Sequence, residues 1–241
     1  MSKVFEFKFN PLNNEKEVFF DTFCFLPKTK KEKTLGSLYL IGETNNRQAL
    51  VNLKESIKDT FFKEGIDEAL NKANIFLNNF PLTNLNFACI SVSPDCVLKF
   101  SKIGNIKIIL LREEEAFDVS SDIGFSNSSF PNIIEGTLQR KDKLLVLTHN
   151  VFSAFKEENI LEELTFIKKP KEVKQIFKEK KKIIKEFSGA CLLSFIKKKR
   201  TPFQFKKNPS YQKIPFTLTE KGIVTFLTFI ILLLIGYLFF K

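Results

Sequence analysis

The chain has 241 residues, a net charge of +11, 44% hydrophobic residues, 29 Phe and no Trp, enough for one well-buried domain plus an appendage. Its single His excludes multi-His metal sites and leaves few bases for a Ser or Cys nucleophile. No G-x-G-x-x-G and no P-loop is present, which removes the common nucleotide-binding loops.

Residues 4–9 alternate apolar and charged side chains, which predicts a strand and lacks the continuous apolar core of a signal peptide. Residues 17–26 predict a second strand, 28–33 a charged hairpin loop, and 36–41 a third strand. Residues 48–62 place Leu50, Leu53, Ile57 and Phe61 at helical spacing, and after Gly65 residues 66–77 do the same with Ile66, Leu70, Ala73 and Leu77. Strands are expected at 85–92, 96–100, 105–111 and 143–148, with a Ser/Asn-rich loop at 124–131. Helices follow at 151–155 and 157–164. A long basic helix from Pro170 to about Phe187 turns Val173, Ile176, Phe177, Ile184 and Phe187 inward, and residues 189–196 close with a strand. Blocks of strands separated by helix pairs imply an α+β fold with antiparallel sheets. The Phe excess reads in part as compositional bias. Cys24, Cys89, Cys96 and Cys191 form no C-x-x-C pair and read as reduced core thiols of a cytosolic domain.

The charge is concentrated near the C-terminus. Between Lys197 and Lys221, eight Lys/Arg against one acid carry +7 of the +11. Pro202, Pro209 and Pro215 mark residues 197–221 as a linker, with Phe203, Phe205, Tyr211 and Phe216 between the charges. Residues 223–240 then run without a charge, about 27 Å of helix, close to the hydrocarbon thickness of a bilayer. The expected organisation is a domain at 1–196, a juxtamembrane linker at 197–221 and a single-pass transmembrane helix at 222–240. The basic flank places the domain on the cytoplasmic side. Lys197, Lys198, Lys199, Arg200, Lys206 and Lys207 would lie against an anionic leaflet. This distribution points to a membrane surface and not to nucleic acid.

Five local patterns accompany this order. Phe20-Asp21-Thr22-Phe23 ends or begins an early strand. Leu40-Ile41-Gly42-Glu43-Thr44 precedes the helix pair. Phe100-Ser101-Lys102-Ile103-Gly104-Asn105-Ile106 joins two strands. Lys141-Asp142-Lys143-Leu144-Leu145-Val146-Leu147-Thr148-His149-Asn150 leads into a helix, and Ser188-Gly189-Ala190-Cys191 opens the last strand. In order and position they resemble the acidic strand motif, A-D-G-M-G, G-[DN]-[SA], G-D-x-L-L-L-x-[ST]-D-G and D-[ND]-A-T of the metal-dependent PP2C-type (PPM, including SpoIIE-like) Ser/Thr protein phosphatases, over roughly residues 5–196. The resemblance implies an α/β/β/α sandwich of two antiparallel sheets flanked by helices. It also implies phosphate-ester hydrolysis at two divalent cations held by Asp carboxylates.

Carried over position by position, the ligand set is depleted. Asp21 keeps its Asp, and Glu43 replaces an Asp. Phe20, His149, Ser188 and Gly189 stand where the family has acids or, at Gly189, Asn or Asp. The implied protein is a pseudophosphatase that binds a protein partner in signalling, with no catalytic residue and no cofactor. One sharper variant keeps a single site of Asp21, Glu43 and His149, suited to Mn²⁺, Fe²⁺ or Zn²⁺. Two alternatives stay open: a divergent, weakly active phosphatase using one divalent cation (Mn or Mg), and an unrelated α+β membrane-attached protein.

Overall fold

The computed structural model describes residues 3–9, 18–197 apart from 81, 83, 122, 124, 125 and 127, and 212–213. The expected linker and transmembrane helix, with Lys198, Lys199, Arg200, Lys206 and Lys207, lie outside the described residues, save Lys197 and the pair 212–213. Among the described residues no helix is long and apolar enough to cross a membrane.

One antiparallel sheet contains β1 (Lys3–Phe9), β6 (Lys107–Arg112), β7 (Glu115–Asp118), β9 (Lys143–Leu147), β10 (Gly189–Phe195) and β11 (Gln212–Lys213), in the order β1-β10-β9-β6-β7-β11. The other contains β2 (Phe19–Phe25), β3 (Ser37–Thr44), β4 (Asn86–Val92), β5 (Val97–Ile103) and β8 (Ile134–Thr137), in the order β2-β3-β4-β5-β8. The sheets face each other, and successive side chains point to opposite layers. On β9, Leu144 and Val146 enter the core between the sheets, while Leu145 and Leu147 enter the layer under the helices. On β10, Ala190 and Leu192 divide from Cys191 and Leu193 in the same way.

Helices cover the outer faces. On one side α2 (Arg47–Glu64) and α3 (Ile66–Asn79) pack Leu50, Leu53, Ile57, Phe61, Leu70 and Leu77 against Leu38, Leu40 and Phe87. On the other, α4 (His149–Glu157), α5 (Ile160–Phe166), α6 (Pro170–Glu179) and α7 (Lys181–Ile184) cover the sheet of β9 and β10. The expected α/β/β/α layering is therefore present. The phenylalanines have a packing role here. Phe5, Phe7 and Phe9 all face the helices, Phe7 meets Phe177 edge-on at 4.3 Å between centroids, and Phe9 lies 5.3 Å from Phe187 and 5.9 Å from Phe155.

The structure corrects several local expectations. Residues 28–33 do not form a hairpin loop, because Thr29 and Glu32 make a reciprocal capping box that starts α1 (Lys30–Leu35). The helix expected from Pro170 to Phe187 is broken at Lys180, yet α7 still brings Ile184 and Phe187 onto the same core. The pair expected at 151–155 and 157–164 divides instead at Asn159, which is left-handed (φ 58°). The hairpin of β6 and β7 turns through Glu113 and Glu114, both at positive φ (51° and 66°). Such a turn usually takes Asn-Gly, and that signal is missing here.

Phe155 has no exposed surface and touches Phe9, Phe177 and Phe187. Phe155→Ala is expected to lower unfolding stability by about 3–5 kcal/mol, read as a lower midpoint with an unchanged slope in urea unfolding.

Candidate functional site

The residues that the sequence brings forward lie at one end of the two sheets, where β1, β6 and β7 meet the helices and β2 and β3 begin or finish. Register decides which of them can meet. Across β2 and β3, Phe20 pairs with Glu43 and Asp21 pairs with Gly42. Partners in a pair share a face, so Glu43 and Asp21 point to opposite faces of their sheet. Glu43 shares its face with Ile41 of the inter-sheet core, and its neighbours there are Phe20 and Asn86. The position that could set a second carboxylate beside Glu43 is thus occupied by Phe20.

Glu43 is half-buried, and burial pushes its carboxyl above the ordinary 4.5, with a hydrogen bond from Asn86 opposing the shift. Asp21 accepts the Thr22 amide at 2.7 Å and is ion-paired to the Lys8 ammonium, which reaches over from β1 in the opposite sheet. Glu6, two residues before Lys8 on the same face of β1, is also raised, mainly by burial. Asp118, at the same end of β7, is met by Lys107 at 2.9 Å and by the Ser120 hydroxyl and amide at 2.6 and 2.9 Å. Lys102 is buried and donates to the Gly104 carbonyl at 3.3 Å, and burial pushes its pKa down.

His149 is the exposed first residue of α4. Among the described residues no group of three His, Cys, Asp or Glu side chains could hold a metal ion, so Asp21, Glu43 and His149 are not gathered into one. Thr148, just before His149, is clasped to the start of β10: Ala190 donates its amide to Thr148 Oγ1 at 3.1 Å, and the Thr148 amide bonds the Ala190 carbonyl at 3.1 Å. Gly189 has φ +145°, and a Cβ on it would lie 2.2 Å from Thr148 Oγ1. An acid on that backbone would meet both strain and collision, so no ligand fits there. Ser188 beside it is half-buried.

Sequence reasoning missed Lys8, Lys102, Lys107 and Asp118. The signal for Lys8 was available: it sits at the polar beat of an alternating strand whose phenylalanines face the helices. Three of the cysteines are poor nucleophiles. Burial pushes the Cys24 thiol up to about 12 and raises Cys89 and Cys191 as well.

No protein-family model and no curated protein matches the chain. Solved structures do. The RsbU and RsbW domains of a Mycobacterium tuberculosis protein match with TM-score 0.59 at 12% identity over 83% of this chain, which spans only 62% of that one. The PPM Ser-Thr phosphatase MsPP from Mycobacterium smegmatis, solved with cacodylate, matches with TM-score 0.56 at 11% identity, over 81% of this chain and 97% of that one. RsbX in complex with magnesium matches with TM-score 0.54 at 12% identity, over 80% and 92%. The fold is therefore PP2C-like. At these identities the likeness establishes the fold and not the reaction. The metal pair of that fold needs carboxylates converging on one point. The residues here do not fit it: Asp21 has an ammonium partner, Glu43 faces Phe20, and Gly189 has no room for an acid.

Two outcomes follow. Gly189→Ala should cost about 1–3 kcal/mol, seen as a lower thermal midpoint, because both backbone and Thr148 must give way. Raised in the folded state, Glu43 binds its proton more tightly there than in the unfolded chain. Its stabilising contribution is then full below pH 4.5 and is lost as pH rises through the raised value. Glu43→Gln should be more stable than the parent at pH 7, and the gap should close below pH 4.5 in unfolding curves taken across pH.

Proposed function

We propose that this chain is a membrane-anchored PP2C-like pseudophosphatase whose cytoplasmic domain works as a binding and regulatory module. The observation that carries the reading is the ion pair of Lys8 with Asp21. A covalently attached ammonium stands beside the surviving carboxylate of the acidic strand motif. A hydrated divalent cation would have to displace it. The pair is partly exposed, with 44% and 32% of the two side chains accessible, so its stabilising effect is at most about 1 kcal/mol. Its consequence is electrostatic: the charge that attracts metal is already balanced. Burial of Glu43 beside Phe20 acts in the same direction: desolvation raises its carboxyl above the ordinary range, and Phe20 offers no second oxygen beside it.

At this end of the sheets, the mouth of the fold, Lys102 lies within charge range of Lys107 and beside the Gly104-Asn105 turn that Asn86 holds, and these groups would hold a partner segment without turning it over. The partner is a protein whose identity this mouth does not specify. Anchoring rests on residues 223–240, uncharged and long enough to span a bilayer, and on the basic stretch before them.

The full chain in neutral detergent should hydrolyse p-nitrophenyl phosphate with millimolar Mn²⁺ or Mg²⁺ no faster than its Glu43→Ala variant. Hydrolysis abolished by that substitution would make the chain a divergent metal-dependent phosphatase instead. Carbonate-washed membranes should retain the full chain and release one truncated after Lys221.

A further inference from the structure

The mouth lies at one end of the sheet that holds β9 and β10. At the other end, where β6 turns into β7, β9 begins and β10 finishes, a cavity of about 790 Å³ opens. Lys143, 5% exposed, forms its floor. The Lys143 ammonium donates to the carbonyls of Thr165 at 2.7 Å and Ile167 at 2.8 Å, which leaves the third N–H without a partner among the described residues. Arg140, Lys141, Lys168 and Lys197 also line the opening, and Phe166 among them is 50% exposed. Glu113 and Glu114 reach the same rim on their left-handed turn. Arg112 is committed to Asp142 through bonds of 3.0 and 2.6 Å. With that pair set aside, five cations face two acids.

Burial pushes the Lys143 pKa down to about 8, and Glu114, Glu172 and Asp142 pull it back up, so the side chain is still mostly charged at pH 7. A buried cation with an unfilled donor in an open cavity is best satisfied by an anion with several acceptor oxygens.

The path of the chain says where that anion would come from. Lys197, where the domain ends, lines the cavity, and Lys198, Lys199 and Arg200 follow it in sequence. The antiparallel register of β11 runs from the level of Asp118 to that of Phe117, toward the Glu115 end of β7 and so toward the cavity. Lys197 thus lies at this end of the domain, and β11 runs toward it.

We propose that this cavity binds the phosphate-bearing headgroup of an anionic membrane lipid, with Lys143 at the phosphate, Arg140, Lys141 and Lys168 around the headgroup, and Phe166 at the bilayer interface. The inference rests on the reading that residues 222–240 anchor the chain. Basic side chains near an anionic leaflet and an exposed aromatic ring are the chemistry such a surface selects.

The test titrates the full chain in neutral detergent micelles with dioctanoyl-phosphatidylglycerol by calorimetry. Dioctanoyl-phosphatidylcholine, inorganic phosphate and a phosphoserine heptapeptide serve as comparisons. The anionic lipid should bind at least about tenfold tighter than any of the three. Lys143→Met should weaken it about tenfold. Because that variant leaves two buried carbonyls unpaired and can misfold, the exposed-rim variant Arg140→Gln/Lys141→Gln/Lys168→Gln is expected to weaken binding in the same way. Equal binding of the two lipids, tighter binding of phosphate or phosphopeptide, or indifference to both variants overturns the proposal. Micelle binding needs no anchor: loss of the chain from carbonate-washed membranes would refute the anchor alone, whereas an anchored chain that ignores phosphatidylglycerol would refute the headgroup site alone.

Discussion

The central strands of this domain are buried on both faces, and that constraint determines where chemistry can reside. β9 and β10 carry Leu144, Val146 and Leu192 into one core and Leu145, Leu147 and Leu193 into another, with no exposed surface on any of them. A charged group in mid-strand would be stranded between layers, at a cost of several kcal/mol. Ionisable side chains therefore collect at strand ends, and the sheet has two ends. At one lie Lys8, Asp21, Glu43, Lys107 and Asp118; at the other, Lys143 with its basic rim.

The two ends resolve their charge differently. At the mouth, acids and lysines pair, Lys8 with Asp21 between the sheets and Lys107 with Asp118 within one, and Glu43 is desolvated. In such an arrangement two of the carboxylates are already paired with ammonium groups. At the cavity, the lysine on the floor is held by two carbonyls, which satisfy its geometry without cancelling its charge. That arrangement is open to an anion.

Much of the fold was legible in the sequence because its elements are long and strongly periodic. The helices at Leu50–Phe61 spacing and the apolar run of β9 leave little choice of assignment, and the order of blocks implied the layered sandwich. Short elements were less legible. β7 and β8 have four residues each, and the Glu113-Glu114 turn adopts a geometry that its residues do not advertise. The site was legible as a set of positions but not as a geometry. Asp21 and Glu43 are both acids near a strand end, and only the register shows that they face opposite ways. Lys8 was invisible as a partner of Asp21 because the two are brought together by sheet stacking, which no local pattern encodes. Lys143 lies inside K-L-L-V-L-T, at the start of a strand; its burial comes from the C-terminal end of α5 at Thr165 and Ile167, more than twenty residues away.

The short pairing of β11 with β7 has a consequence for reach. With Gln212 and Lys213 docked on the sheet edge, only residues 214–221 separate the domain from the start of the proposed anchor, an extended span of at most about 29 Å. An anchor there would hold the domain on a short leash, in a shallow layer over the bilayer. A partner resident in the same membrane would meet it at an effective concentration on the order of millimolar. Contacts too weak to be seen between the free molecules would be adequate there, so for a module of this kind selectivity can come from sharing a surface more than from affinity.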